Sequence, residues 1–108
     1  SIVENEFQSC ARGILFNGEN TDIPVTCNEF HDTQFAGIEI DDIGLSSFVL
    51  TGQDDYNRFD GSLLLDIRNV NSMGTFSYEN LTGTSYPLQP TLFSNVTLLP
   101  VSSYLMCE

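Results

Sequence analysis

Lysine and tryptophan are absent from this chain of 108 residues, and its cationic side chains are three, Arg12, Arg58 and Arg68, against fifteen Asp and Glu. The formal charge of −12 repels a phosphate backbone or an anionic bilayer, so nucleic acid is excluded as a partner and membrane insertion is not expected. Charged residues are scarce in total as well, 17% where about 25% is usual. So acidic a surface repels its own copies. Self-association therefore has to come from burial, backbone pairing, or screening by salt and divalent cations. Long apolar runs are also missing: Leu63-Leu64-Leu65 falls far short of the ~20 residues that span a bilayer. No signal peptide stands at the front; the chain opens on Ser1 and reads as a processed form or a segment of a longer one.

Helical periodicity is the next absence, because no twelve-residue window keeps apolar positions at i, i+3, i+4 and i+7 without Gly, Pro or a β-branched interruption. Strand patterns recur instead, at 12–16, 22–27, 35–40, 46–51, 62–70, 75–78, 94–99 and 101–106, with further segments at 2–8 and 86–88. Turn-forming residues separate them, Asn17-Gly18, Asp41-Asp42, 52–61, 71–74 and 83–85 among others. A chain of this length buries about 65% of its unfolded surface and holds one modest core. Short strands at eight- to twelve-residue spacing predict an all-β fold, an Ig-like antiparallel β-sandwich of about seven to nine short strands. Residues 1–9 form an extended N-terminal segment before a single β-sandwich domain at 10–108. In the segment 62–70, Leu63, Leu65 and Ile67 alternate with Leu64, Asp66 and Arg68, which predicts one core-facing side. Its expected neighbours are 46–51, through Phe48 and Leu50, and 75–78. No internal repeat and no low-complexity linker is read in the chain.

Cysteines are few and odd in number: Cys10, Cys27 and Cys107. In an oxidising compartment two pair and one is left over. Cys10 with Cys27 closes a short loop and is the expected bridge, with 10–107 and 27–107 as alternatives. Cys107 is then a free thiol or the site of an inter-chain bond. Two N-glycosylation sequons begin at Asn80 and Asn95. Nine Asn with twenty Ser and Thr give roughly 1.7 sequons at random, so the pair has no weight alone. With the absent lysine, the odd cysteine and the Ser/Thr-rich stretch 82–103, it points to an extracellular or cell-surface location.

The segment GQDDYNRFDGS, 52–62, looks most like a site. An EF-hand loop needs oxygen ligands at positions 1, 3 and 5, Gly at 6 and Glu at 12. Counted from Asp55, position 5 is Phe59, position 6 is Asp60 and position 12 is Asp66, so that register fails. What remains is a looser calcium site shared by Asp54, Asp55 and Asp60 with Asp41 or Asp42, weighed against an acidic hairpin loop between two strands. His31, flanked by Glu29 and Asp32, has no second His or Cys at ligand spacing and reads as a surface residue. No phosphate loop, nucleophile elbow or dinucleotide fingerprint occurs, and fifteen acids always furnish carboxylate pairs. An enzyme is not expected. The aromatics Phe7, Phe30, Phe35, Tyr56, Phe59, Tyr78 and Tyr86 offer a sugar-stacking platform, with core packing as the simpler account.

The N-terminal segment SIVENEFQ carries no turn residue that folds it back. Val3, Asn5 and Phe7 lie on one side of it and Ile2, Glu4 and Glu6 on the other. It is either an ordinary edge strand or a strand that adds to the sheet of a neighbouring copy. Together with the strand layout, it resembles the Ig-like fibre subunits assembled by donor-strand addition, in the manner of pilins. The third cysteine departs from the single internal bridge such subunits often carry. The resemblance implies a structural subunit of an extracellular fibre or surface assembly. Its partners would be copies of itself, and Ile2, Val3, Asn5 and Phe7 would form the assembly strand. The competing expectation is a secreted module that binds carbohydrate or calcium.

Overall fold

The computed structural model of the chain describes residues 2–19, 25–42, 44, 57–70, 76–81 and 90–101. Eleven strands run through them: β1 (Ile2–Val3), β2 (Glu6–Gln8), β3 (Arg12–Gly18), β4 (Val25–Thr26), β5 (Glu29–His31), β6 (Ala36–Asp42), β7 (Arg58–Asp60), β8 (Leu65–Asn69), β9 (Phe76–Leu81), β10 (Phe93–Ser94) and β11 (Val96–Val101). Every pairing among them is parallel. They form four small sheets in the orders β1-β4, β2-β5-β7, β3-β6-β8-β10 and β9-β11. The chain thus climbs as a solenoid. A first rung of β1, β2 and β3 is followed by a second of β4, β5 and β6, a third of β7, β8 and β9, and a fourth of β10 and β11.

The expected antiparallel Ig-like sandwich is overturned by this order. Parallel neighbours need a connection of a dozen residues or more, and here the remainder of each rung supplies it. Glu6 lies beside Glu29, 23 positions later, and Glu29 beside Arg58, 29 positions later. Alternation along a strand tells which side chains face the core but not the direction of the neighbouring strand, and turn-forming residues mark where a strand ends but not whether the chain reverses there. Asn17-Gly18 ends β3, and Gly61 forms a corner. Single left-handed residues turn the chain at Ser9 (φ 56°), Asp32 (53°) and Gly61 (82°), in matching places on three rungs. Glu4 (59°) and Cys27 (58°) do the same one step before Asn5 and Asn28. The strand pairing expected for 62–70 changes accordingly: β8 lies between β6 and β10, and β9 pairs with β11. The segments 46–51, 86–88 and 102–106 lie outside the described residues.

An internal repeat exists after all. Asn5-Glu6-Phe7, Asn28-Glu29-Phe30 and Asn57-Arg58-Phe59 occupy one register, and Ile14, Ile38 and Ile67 another. The phenylalanines stack with ring centroids 5.2 Å apart for Phe7 and Phe30 and 5.3 Å for Phe30 and Phe59, each pair 9° from coplanar. Tyr78 closes the column edge-on at 6.2 Å from Phe59. Phe30, Phe59, Ile38, Ile67 and Phe76 are fully buried. The stack lies so close to β3 that a Cβ on Gly13 would stand 2.5 Å from Phe30 Cδ1, inside any tolerable contact, which is why a residue without a side chain is needed there. The apolar side expected of 62–70 holds at Ile67 but not at Leu63, which is 72% exposed, and Asp66 is buried rather than solvent-facing.

Phe30 is touched by rings on both sides, so Phe30→Ala opens the centre of the stack and is expected to cost about 3–5 kcal/mol. Phe7→Ala, at the half-buried end of the column, should cost less. Urea denaturation midpoints of the two variants check the order; a larger loss at Phe7 would contradict the ladder.

Candidate functional site

The first rung is where repeated packing meets an unpaired boundary. Among the described residues β1, β2 and β3 each have a strand neighbour on one side only. The Asn5 carbonyl accepts from the Glu29 N–H at 2.8 Å, and the Ser9 N–H donates to the His31 carbonyl at 2.9 Å. Peptide groups alternate along a strand, so those of Asn5, Phe7 and Ser9 point to the second rung. Those of Glu6 and Gln8 point to the open side. Ile2, Val3, Asn5 and Phe7, expected as a free assembly strand, are therefore already paired within the chain, Ile2 to Val25, Val3 to Thr26 and Phe7 to Phe30. Of the two alternatives for this segment, the pairing is that of an edge strand, with no neighbour on its outer side among the described residues.

Behind that edge runs a ladder of side-chain amides. The N–H and Nδ2 of Asn5 donate to Asn28 Oδ1 at 3.0 and 3.1 Å. The N–H and Nδ2 of Asn28 donate in turn to Asn57 Oδ1 at 3.1 and 3.0 Å. The second amide hydrogen also repeats its partner: Asn28 Nδ2 donates to the Ile2 carbonyl and Asn57 Nδ2 to the Val25 carbonyl, each at 3.0 Å. Asn28 and Asn57 are buried, where an unbonded amide would cost about 1–3 kcal/mol. The ladder ends on Tyr78, whose hydroxyl oxygen accepts from the N–H and Nδ2 of Asn57 at 3.3 and 3.2 Å. Burial pushes the Tyr78 phenol up to about 12. The two hydrogen bonds from Asn57 oppose that rise, and the Asp66 charge adds to it.

The lateral faces are held by ion pairs that join rungs. Glu39, on the second rung and buried, takes Arg12 Nε of the first rung at 2.7 Å and Arg68 Nη1 of the third at 3.2 Å. The Arg12 guanidinium also stands 5.2 Å above the Phe35 ring. On the outside of β5 and β7, His31 lies 3.6 Å from Glu29 and 3.7 Å from Asp60, and Arg58 lies within 4.0 Å of both acids. All three arginines of the chain are thus engaged between rungs. Asp60, expected with Asp54 and Asp55 as a calcium ligand, faces His31 and Arg58, while Asp54 and Asp55 lie outside the described residues. Among the described residues no group of three or more His, Cys, Asp or Glu side chains is placed to hold a metal ion. The expected hairpin loop at 52–62 is replaced, over 58–60, by strand β7.

Of the aromatic platform, Phe7, Phe30, Phe59 and Tyr78 go into the core column and Phe35 stays exposed beneath Arg12; Tyr56 and Tyr86 lie outside the described residues. Cys10 is a free, half-buried thiol, so the expected Cys10–Cys27 bridge is not formed. Cys27 is itself disulfide-bonded, and Cys107 lies outside the described residues. Asn95 is exposed in a left-handed corner (φ 57°) between β10 and β11, two residues before an exposed Thr97. Asn80 lies within β9. No described helix is long and apolar enough to cross a membrane.

Fourteen of the fifteen acids and all three arginines fall within residues 4–79, and residues 80–107 hold no charged side chain. The fourth rung is therefore uncharged. Sequence reading missed the amide ladder, the ring stack and this division, although the triplet Asn-x-Phe was present as a signal. Set against protein-family models, curated proteins and solved structures, the chain matches none.

Two measurements follow from the buried groups. Burial raises the folded Tyr78 phenol to about 12 against about 10 in an unfolded chain. Its neutral form therefore contributes stability in full below pH 10, and that contribution falls as pH rises from 10 through 12, by about 2–3 kcal/mol. Tyr78→Phe should lower the neutral-pH stability by about 1–3 kcal/mol, since Asn57 loses its acceptor, and should flatten the alkaline decline measured by denaturant titration. Alkylation of the native chain without reductant should label Cys10 and spare Cys27, read by peptide mass mapping.

Proposed function

We propose that the chain is a structural β-solenoid module of an extracellular fibre or surface assembly, which associates head to tail by strand addition at its first rung. The observation that supports this reading is the edge of β1, β2 and β3, which has no strand neighbour among the described residues and is backed by side-chain columns already in register. An arriving strand receives the outward peptide groups of Glu6 and Gln8 and places a further residue over Phe7. Such contacts need no attractive net charge. Because the two joined surfaces differ, the contact does not close on itself and builds a filament. The acidic sides oppose lateral sticking, and salt that screens −12 should promote growth. An extracellular setting suits the exposed Asn95 sequon, a candidate site for a glycan.

Removing residues 1–8 is a poor test, because the second rung presents the same Asn28-Glu29-Phe30 register beneath. Gln8→Pro is sharper. It removes an outward N–H, the position at which an edge strand tolerates proline, and leaves the in-chain bonds of Asn5 and Ser9 in place. The wild-type chain should form filaments in negative stain at moderate salt, while folded Gln8→Pro stays monomeric by light scattering. Filaments of the proline variant would refute strand addition at this edge.

A further inference from the structure

We infer that the uncharged fourth rung is the surface on which the first rung of a second copy docks. This rests on the head-to-tail reading above and names the other half of the contact. The column Ile14, Ile38, Ile67 continues in register to Phe93. Ile38 and Ile67 are fully buried and Ile14 nearly so, whereas Phe93, the same column one rung further, is 38% exposed. Leu92 beside it is 45% exposed and Leu99 on β11 42%. Among the described residues β10 is the last strand of its sheet. Its Leu92 carbonyl accepts from Asp66 N–H at 2.6 Å and lies within reach of Ile67 N–H, so by strand alternation the peptide groups of Phe93 point away from β8.

The rung is built to hold its place while presenting that side. Asp66 Oδ2 accepts from the Thr91 and Leu92 N–H groups at 2.9 and 3.1 Å, and Asn69 Nδ2 donates to the Asn95 carbonyl at 3.2 Å. Charge selects the occupant. The first rung of another copy brings Glu4, Glu6 and Glu19, which would be repelled by any of the acidic rungs but not by residues 80–107, where no charge stands. Stacked in parallel, β3 of the arriving copy lies along β10 and covers Phe93, whose register is that of Ile14. A twofold contact between two fourth rungs would instead pair antiparallel and close as a dimer, leaving both first rungs open.

Complementation separates these arrangements. Phe93→Glu places a charge in the junction, and Leu92→Glu repeats the test at a side chain already exposed; circular dichroism and thermal midpoints verify folding of each. In analytical ultracentrifugation Gln8→Pro alone and either Glu variant alone should sediment as monomers. An equimolar mixture of Gln8→Pro with a Glu variant should give particles of twice the monomer mass and no longer ones, because each partner retains one working end. Dimers of Gln8→Pro alone would overturn the inference in favour of the twofold contact. Filaments of both Glu variants, or a mixture that stays monomeric, would overturn it as well. A monomeric wild-type chain would remove the head-to-tail reading itself.

Discussion

Stacking in parallel register is the constraint on which the rest of this structure depends. Neighbouring strands lie about 4.8 Å apart, and parallel register places the residue of one rung directly over its counterpart in the next. Each position on the rung thereby becomes a column, and only side chains that tolerate a copy of themselves at that distance can fill one. Asparagine does, because its amide both donates and accepts, and Asn28 uses both functions at once. Phenylalanine does, because parallel rings bury each other's faces. Glutamate does not: the Glu6 and Glu29 column is relieved on the third rung by Arg58.

The same constraint accounts for how a strongly acidic chain spends its few cations. Glu39 is held from below by Arg12 and from above by Arg68. Truncating either arginine would leave a buried carboxylate with half of its compensation, and for such groups the loss of a partner outweighs the net worth of the pair. Arg58 lies at the rim, where exposed pairs contribute little individually; its role is to interrupt a column of like charge. With every arginine engaged between rungs, the chain still carries a formal charge of −12, and fourteen of its fifteen acids fall within residues 4–79. Sideways contact is discouraged there, and the uncharged fourth rung is left as the exception.

The all-β class was legible in the sequence because period-two patterns such as Ile14 with Phe16 and Ile38 with Ile40 exclude a helix. Direction was not legible. An alternating strand looks the same whether its neighbour runs with it or against it, and Asn17-Gly18 and Asp60-Gly61 carry the residues of a hairpin turn while serving as the end of a strand and a corner. The repeat Asn-x-Phe could have been found, but its intervals of 23 and 29 residues differ, and only three members occur. Unequal spacing hides a period that the register restores, since extra residues are absorbed between strands. The buried Asp66 was hidden for another reason. It stands in the line occupied by Gly13 and Gly37 on the lower rungs, and its carboxylate serves the backbone of Thr91 and Leu92, a long-range partnership that no local pattern announces.

The two ends of the solenoid are unlike, and that asymmetry bears on function more than either end alone. At the top of the ring and amide columns stands one residue, Tyr78, whose ring meets Phe59 edge-on while its hydroxyl takes both donors of Asn57. Among the described residues these two columns end on that side chain. At the bottom of the described rungs they end on the half-buried Phe7 and the exposed Asn5. The isoleucine column behaves in the opposite way, nearly sealed at Ile14 and open at Phe93. A surface in which one column is capped and another open cannot be matched by its own copy through a twofold axis as well as by the opposite end. There the capped and open columns are interchanged. The placement of Tyr78, buried, and Phe93, 38% exposed, thus makes the two kinds of column end differently on the same side of the described rungs.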